Sequence, residues 1–367
     1  MNSTISKNDL IRYPLRKNEL LLPWDAADDY LIEVLSEYSF TGKRILIIND
    51  HFGAIGTQFL GQDLTVYTDS YISYRSIKIN SRERIEPIMD LDLLEGIYDY
   101  VLIRAPKNLA FFEDILCCLT KHLGAESIVL TGFMVKYFTA GLYEKLERVI
   151  GTISPGLAKK KARVVRAMFE REKLTSPYPT KTKLDSFERD FIHHSNLFSR
   201  DKLDIGTRFL LENMPAGNIQ TVLDLGCANG VLGIRAKQVF PSAAVCFSDE
   251  SAMAIKSARA NYNEYFGHSL GEASFHLTNC FEDGLKNHFD LVLCNPPFHQ
   301  GTAIGDHIAF QMFQDAKSAL KLGGTLRVVG NSHLGYQQKM KKIFGNCKII
   351  ATNKKFMILD SHKSSGS

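Results

Sequence analysis

The stretch "NPPF" (295–298) closes an apolar run, "FDLVLC" (289–294), with groups whose types fit one task. Proline fixes its own φ and has no N–H, and a second proline holds the first extended, so Pro296 and Pro297 make a stiff tip that keeps Asn295 still. The side-chain carbonyl of Asn295 and the main-chain carbonyl of Pro296 can then accept the two protons of a planar NH2 group, while Phe298 offers a ring face to a flat base or amide. Such a grip aims a nitrogen lone pair at an electrophile by positioning, without a strong base. A proline-ended strand beside a buried ring would carry the same letters, so residues upstream must decide. "DLGCANG" (224–230) supplies Asp224, Gly226, Cys227 and Gly230 where a strand passes into a helix. Backbone amides and the positive helix end there suit a charged, nucleotide-like ligand that approaches closely, although an ordinary strand-to-helix turn looks alike. Asp249, followed by Glu250, ends "VCFSD" about twenty residues on, where a carboxylate can accept both hydroxyls of a ribose. The plain alternative is a first-turn acid beside a helix N-terminus. Asn279 ends a third strand, either at an adenine edge or as a loop residue.

These residues need a frame that gathers strand ends. After residue 196, strand and helix signals alternate: "TVLDLGC", "AAVCFSDE", "SFHLTNC", "HFDLVLC" and "TLRVVGN" are strands, and "CKIIATNKKFMILD" is a closing antiparallel hairpin. Strands joined by helices imply right-handed crossovers and a parallel sheet covered on both faces, an α/β doubly wound, Rossmann-like domain. The first half repeats that order. "RILIINDHFGAIG" (44–56) lies against "TVLDLGCANGVLG" (221–233), with Gly53 and Gly56 at Gly230 and Gly233. The stretch 66–80 shadows 245–261, with Asp69 at Asp249; 98–108 shadows 289–299; and "SIVLTG" (127–132) shadows "TLRVVG". Matches in one order indicate an internal duplication. Ile47, Asn49 and Arg104 stand where the second copy has Asp224, Gly226 and Asn295, so the first copy is expected to keep the fold and lose the cofactor. The expected division is a degenerate domain over 1–170, a Lys-, Thr- and Pro-rich linker over 171–196, and a catalytic domain over 197–367.

Composition narrows the setting. A chain of 367 residues, 45% hydrophobic, is globular and long enough for two cores. A net charge of +4 is too weak by itself to name nucleic acid as the partner. The basic residues do cluster, in "GLAKKKARVVRAMFEREK" (156–173) with Lys181 and Lys183, and in "KMKKIFGNCK" (339–348) with Lys354 and Lys355; each cluster is a phosphate-binding tract or a solvated lysine face. Seven cysteines, an odd number without a C-x-x-C pair, argue against a disulfide framework and a zinc site, and fit a reducing cytoplasm. The N-terminus has no apolar signal region, and no apolar run is long enough to span a membrane. His299 and His333 are either substrate contacts at the pocket mouth or ordinary surface histidines, and no spacing supports a metal.

"DLGCANG", Asp249 and "NPPF" in this order resemble the class I methyltransferases that use S-adenosylmethionine, and among them the RsmC/RlmG group of ribosomal RNA guanine-N2 methyltransferases. "FSRDKLDIGTRFLLENMP" (198–215), "NPPFHQ", "GGTLRVVGNSHLGY" (323–336) and "KKIFGNCKIIATNKKFMIL" (341–359) are similar to the RlmG branch, which modifies 23S rRNA. The resemblance is strong over the second half and looser over the first, where that family carries a duplicated, degenerate domain. It implies two tandem methyltransferase-like domains, with the first recruiting RNA. It also implies that Gly226 and Gly230 face the methionine part of the cofactor, Asp249 its ribose and Asn279 its adenine, and that Asn295 to Phe298 hold the target guanine. Ala228 departs from the family's glycine at that loop position, and a positive φ there would strain it. The guanine must come from a loop or be flipped out, and a monomer is expected. Two other readings stand beside it: a protein-glutamine N5 methyltransferase, in which the same tip holds a side-chain amide, and a non-catalytic RNA-binding assembly factor that retains the fold.

Overall fold

The computed structural model describes residues 5–15, 19–200, 202–267, 273–297 and 303–365, the last stretch with side chains from 307 on. The chain divides into two compact units, Met1–Tyr178 and Pro179–Ser367. The first unit contains α1 (Ala26–Leu35), β1 (Arg44–Ile48), β2 (Asp63–Tyr67), α2 (Tyr71–Ser81), β3 (Tyr98–Arg104), α3 (Leu109–Leu119), β4 (Leu123–Met134), α4 (Ala140–Val149), β5 (Ile153–Pro155) and β6 (Ala162–Met168). The second contains β7 (Thr180–Lys183), β8 (Asp190–His193), α5 (Ile205–Glu212), β9 (Thr221–Leu225), α6 (Val231–Val239), β10 (Ala244–Asp249), α7 (Ala252–Phe266) and β11 (Ala273–Leu277). It continues with β12 (Phe289–Cys294), α8 (Ala303–Ala319), β13 (Leu320–Asn331), α9 (Tyr336–Phe344), β14 (Lys348–Thr352) and β15 (Phe356–His362).

Among the described residues, the second unit's main sheet runs β11-β10-β9-β12-β13-β15-β14, parallel from β11 to β13 and antiparallel over β15 and β14. Apolar runs form these strands because both faces are covered. Val222, Leu291, Leu293, Val245 and Phe247 pack with residues of α5, α6 and α7, and Leu223, Leu225, Val292, Cys294 and Val328 pack with residues of α8 and α9. Alternation along β12 therefore sends Leu291 and Leu293 toward α5, and the next residue of that parity is Asn295. Where a fully buried apolar strand hands over to a polar tip, the sheet edge becomes a site.

The first unit's sheet runs β2-β1-β3-β4-β6-β5, the same order without a counterpart of β11, where the isolated parallel bridge Tyr67↔Ile88 stands. Register fixes the correspondence between the units. Ile47 pairs with Val66 and Leu102, and Asp224 pairs with Phe247 and Leu293, so Ile47 occupies the place of Asp224. Asn49 takes positive φ (61°) where Gly226 does (75°), and Gly53 (80°) matches Gly230 (82°). Two expected pairings slip by one residue. Val66 lies at the level of Phe247, which puts Thr68 at Asp249 and Asp69 at Glu250. Thr68 Oγ1 accepts the Ser70 N–H just as Asp249 Oδ1 accepts that of Ser251. Likewise Gly132, paired with Arg104, falls at Val329 rather than at Gly330.

The segment expected as a linker is largely structured. Residues 180–193 form the antiparallel hairpin β7–β8 of the second unit, with Phe187, Phe191 and His193 buried. Asn261 on α7 accepts the Ile192 N–H (2.6 Å) and donates to the Ile192 carbonyl (3.0 Å), which satisfies the hairpin's open edge. Lys181 and Lys183 stay on its exposed side. All seven cysteines are free, and no helix among the described residues is long and apolar enough to cross a membrane.

Candidate active site

Asn295 follows β12 and meets the N-terminus of α5. Asp204 caps that helix, its Oδ2 accepting the Thr207 N–H at 2.9 Å. The Asn295 Nδ2 donates to Thr207 Oγ1 at 2.8 Å and to Asp204 Oδ2 at 3.2 Å. Its Oδ1 is buried and has no hydrogen-bond partner among the described residues. A buried acceptor without a donor is costly, by roughly 1–3 kcal/mol, unless something supplies one. Pro296 is buried and Pro297 half-buried beside it. Phe298 and His299 lie outside the described residues, and His333 is exposed on the turn after β13.

The glycine loop bends back over β10. The Gly226 and Cys227 amides both donate to the Ser248 carbonyl at 2.9 Å, and the Ala228 amide donates to Asp249 Oδ2 at 2.9 Å. Ala228 does take positive φ, 47°, which for a side chain with a Cβ costs about 1–2 kcal/mol. Gly230 begins α6 with φ 82°, and a Cβ there would come within 3.1 Å of Ala258 and 3.2 Å of Phe247. Its glycine is thus required by helix packing as well as by the turn. Cys227 is buried, and its thiol is pushed well up by that burial, so it stands as a neutral core side chain. Asp249 and Glu250 are half-buried at the end of β10. Asn279 is buried past β11, its amide nitrogen given to Glu282 at 2.8 Å.

Asp224 is fully buried. Its Oδ2 accepts the Gly233 N–H at 2.8 Å, while Oδ1 has no partner among the described residues. Burial, with a smaller contribution from the charge of Asp249 against the Gly233 hydrogen bond, pushes its carboxyl up to about 8. In the first unit the same helix amide is served from another position: Asp50 Oδ2 accepts the Gly56 N–H at 2.8 Å and the Ile55 N–H at 3.0 Å, and burial pushes Asp50 up to about 7.

S-adenosylmethionine carries an ammonium, a carboxylate, a ribose and an adenine, and the residues gathered here fit such a group. The spare Asp224 oxygen suits a hydrogen-bonding group of the ligand, the half-exposed Asp249 carboxylate suits hydroxyls, and the positive-φ loop lets backbone approach a ligand. The first unit lacks this fit. Arg104, at the Asn295 position, is buried and ion-paired with Asp25 at 2.9 Å and Asp28 at 2.7 Å. It is consumed inside its own unit. Among the described residues no group of His, Cys, Asp and Glu is placed to hold a metal. Sequence reasoning missed Asp204 and Thr207 as parts of the site, although "DIGT" before an apolar run is a legible helix-start pattern.

Residues 188–360 match the methyltransferase small domain, which makes the second unit a methyltransferase domain, and residues 1–171 match the RLMG N-terminal domain. Ribosomal RNA large subunit methyltransferase G of Pseudoalteromonas translucida is 38% identical over 97% of this chain and 96% of its own length. The protein of the same name from Shewanella sp. strain MR-4 is 41% identical over 97% of each. The chain belongs to the ribosomal RNA large subunit methyltransferase G family. In fold it is similar to the T. thermophilus 16S rRNA N2 G1207 methyltransferase (RsmC), solved in complex with AdoMet and guanosine, with a TM-score of 0.78 and 19% identity over 92% of both chains.

Proposed function

We propose that this chain transfers a methyl group from S-adenosylmethionine to the exocyclic N2 of a guanine in large-subunit 23S ribosomal RNA. One observation carries the reading: Asn295 has both protons of its amide engaged by Asp204 and Thr207 and keeps a buried acceptor free for a donor. An aromatic amine is such a donor. When bound, S-adenosylmethionine supplies a methyl group on a sulfonium sulfur, open to in-line attack. Asn295 Oδ1 and the Pro296 carbonyl accept the two N–H groups, which fixes the amine plane and turns its lone pair to one side. Pro297 stiffens the tip and Phe298 stacks on the base. Asp224, Gly226, Cys227 and Gly230 line the methionine end, Asp249 and Glu250 the ribose, and Asn279 borders the adenine. A guanine reaches this edge from a loop or by flipping out of a duplex.

The first unit, in this reading, descends from the same ancestor as the second and recruits RNA. Arg104 has no part in that, being paired with Asp25 and Asp28. A better surface lies at the end of β4, where Val135, Tyr137 and Phe138 are exposed and the Lys107 and Lys136 ammonium groups stand 4.4 and 4.7 Å from the Tyr137 ring centre. The Lys161 carbonyl accepts the Val135 N–H at 2.8 Å, which brings the 159–161 lysine turn alongside. Aromatic faces among lysines are what single-stranded RNA needs.

The test is incubation with radiolabelled S-adenosylmethionine and, in turn, protein-free 23S rRNA, ribosomal subunits and a release factor. Label in RNA as N2-methylguanine is expected. Label in release factor alone would select glutamine methylation, and none anywhere a non-catalytic binder. Asn295→Ala should bind the cofactor as well as wild type and lose at least about a hundredfold in kcat; equal loss of both would overturn the role given to Asn295.

A further inference from the structure

We infer that Asp204 and Thr207 are positioning residues that set which end of the Asn295 carboxamide faces the substrate. The inference rests on the methyltransferase reading above and adds to it the origin of the carboxamide's orientation. A primary amide has two ends of nearly equal size, and its neighbours decide which end points where. Turned by 180°, Asn295 would set its oxygen 3.2 Å from the Asp204 carboxylate, acceptor against acceptor, and its NH2 against the incoming amine, donor against donor. A hydroxyl serves as donor or acceptor, so Thr207 discriminates little alone. Asp204 Oδ2 already accepts the Thr207 N–H and meets Asn295 as an acceptor, so Asp204 decides.

Asp204 cannot easily yield. The oxygen that faces Asn295 is the one that caps α5 through the Thr207 N–H, in room that glycine leaves at position 206, where a Cβ would come within 3.0 Å of it. The helix end therefore holds the carboxylate and the carboxylate holds the amide. The first unit supplies an independent view of the same corner. Asp25 caps α1, Asp28 is that helix's third residue as Thr207 is of α5, and Arg104 ends β3 at the level of Asn295. There both helix residues are acceptors and the strand residue is purely a donor, with Arg104 paired to both. In each unit a helix N-terminus offers acceptors to the residue that leaves the central strand. Only the second unit answers with a residue that donates on one side and keeps an oxygen for another molecule.

Asp204→Ser retains a good helix cap, since serine caps about as well as aspartate, but its hydroxyl can donate as well as accept and so no longer selects one end of the amide. Thr207→Val keeps the shape and removes the hydroxyl. Asp204→Ser, and the pair together, should lower kcat at saturating RNA roughly ten- to hundredfold, the range of one hydrogen bond to a carboxylate, and Thr207→Val alone should lower it by less. The cofactor Kd and the melting temperature should stay near wild type. Thr207→Ser should restore the rate lost in Thr207→Val. The side-chain amide resonance of Asn295, assigned by its disappearance in Asn295→Asp, should shift and exchange faster in the double variant. Wild-type kcat in Asp204→Ser/Thr207→Val, with Asn295→Ala inactive, overturns the inference, as does an unchanged Asn295 amide resonance. A wild-type protein that labels no RNA would overturn the methyltransferase reading, and the amide resonance would still decide this one.

Discussion

Asp224 keeps a proton that the unfolded chain gives up, and this has a measurable cost. With its carboxyl pushed up to about 8 by burial, the folded protein holds that proton across the range between the ordinary aspartate value and 8. The stability it contributes is full below the unfolded value near 4 and is lost as pH rises toward 8, by about 1.4 kcal/mol per pH unit. Asp50, pushed up to about 7, acts in the same direction in the other unit. Urea midpoints measured from pH 5 to 8 should therefore fall with pH, and Asp224→Asn should flatten that slope while retaining an oxygen for Gly233. A variant slope equal to wild type would show that another group titrates. At this scale the sequence was informative where chemistry is local. The "NPPF" tip, the glycine loop and Asp249 each advertise themselves within a few residues. Asp204 and Thr207 did not, because their partner lies 91 and 88 residues away, and adjacency of that kind is made by the fold.

Strands were the legible elements. A strand covered on both faces must be apolar at nearly every position, as "FDLVLC" and "TVLDL" are, and such runs are hard to mistake. The β7–β8 hairpin was not legible, since it buries isolated residues, Phe187 and Phe191, among charged ones and depends on Asn261 of a distant helix. Register was the finest detail lost: matching glycine to glycine set Gly132 at Gly330, whereas the hydrogen-bond ladder sets it at Val329. One element carries a stability prediction. Arg327 on β13 makes two hydrogen bonds to Asp360 on β15, at 2.7 and 2.6 Å, with both side chains under 10% exposed. Asp360→Ala would leave a buried guanidinium unpaired, a loss of about 3–5 kcal/mol. The first unit has Leu130 at the level of Arg327, so an apolar residue can stand there. Arg327→Met/Asp360→Leu should then recover most of the loss in thermal melts, and a double variant as unstable as Asp360→Ala would contradict the account.

Across the whole molecule, two units of one topology have settled the same corner in opposite ways. The second leaves an acceptor open at Asn295; the first closes the position with Arg104 between two carboxylates. A domain that has filled its own site can still offer surface, and the RNA recruitment proposed for the first unit asks only that of it. If Tyr137 and its two lysines carry that contribution, affinity for RNA and chemistry at Asn295 separate. Tyr137→Ala should raise KM for RNA, roughly by the 1–3 kcal/mol of one stacked base, and leave kcat at saturation and the cofactor Kd alone. Lys107→Gln/Lys136→Gln should weaken binding and also reduce the slope of log K against log salt by about 1.4, because two neutralised phosphates release correspondingly fewer counterions. Filter binding of a 23S rRNA fragment between 50 and 200 mM salt, roughly the range over which such slopes are resolved, reads both effects. Unchanged slopes with unchanged KM would move RNA recruitment off this surface, and a fall in kcat alone would mean that the patch acts on the reaction and not on the encounter.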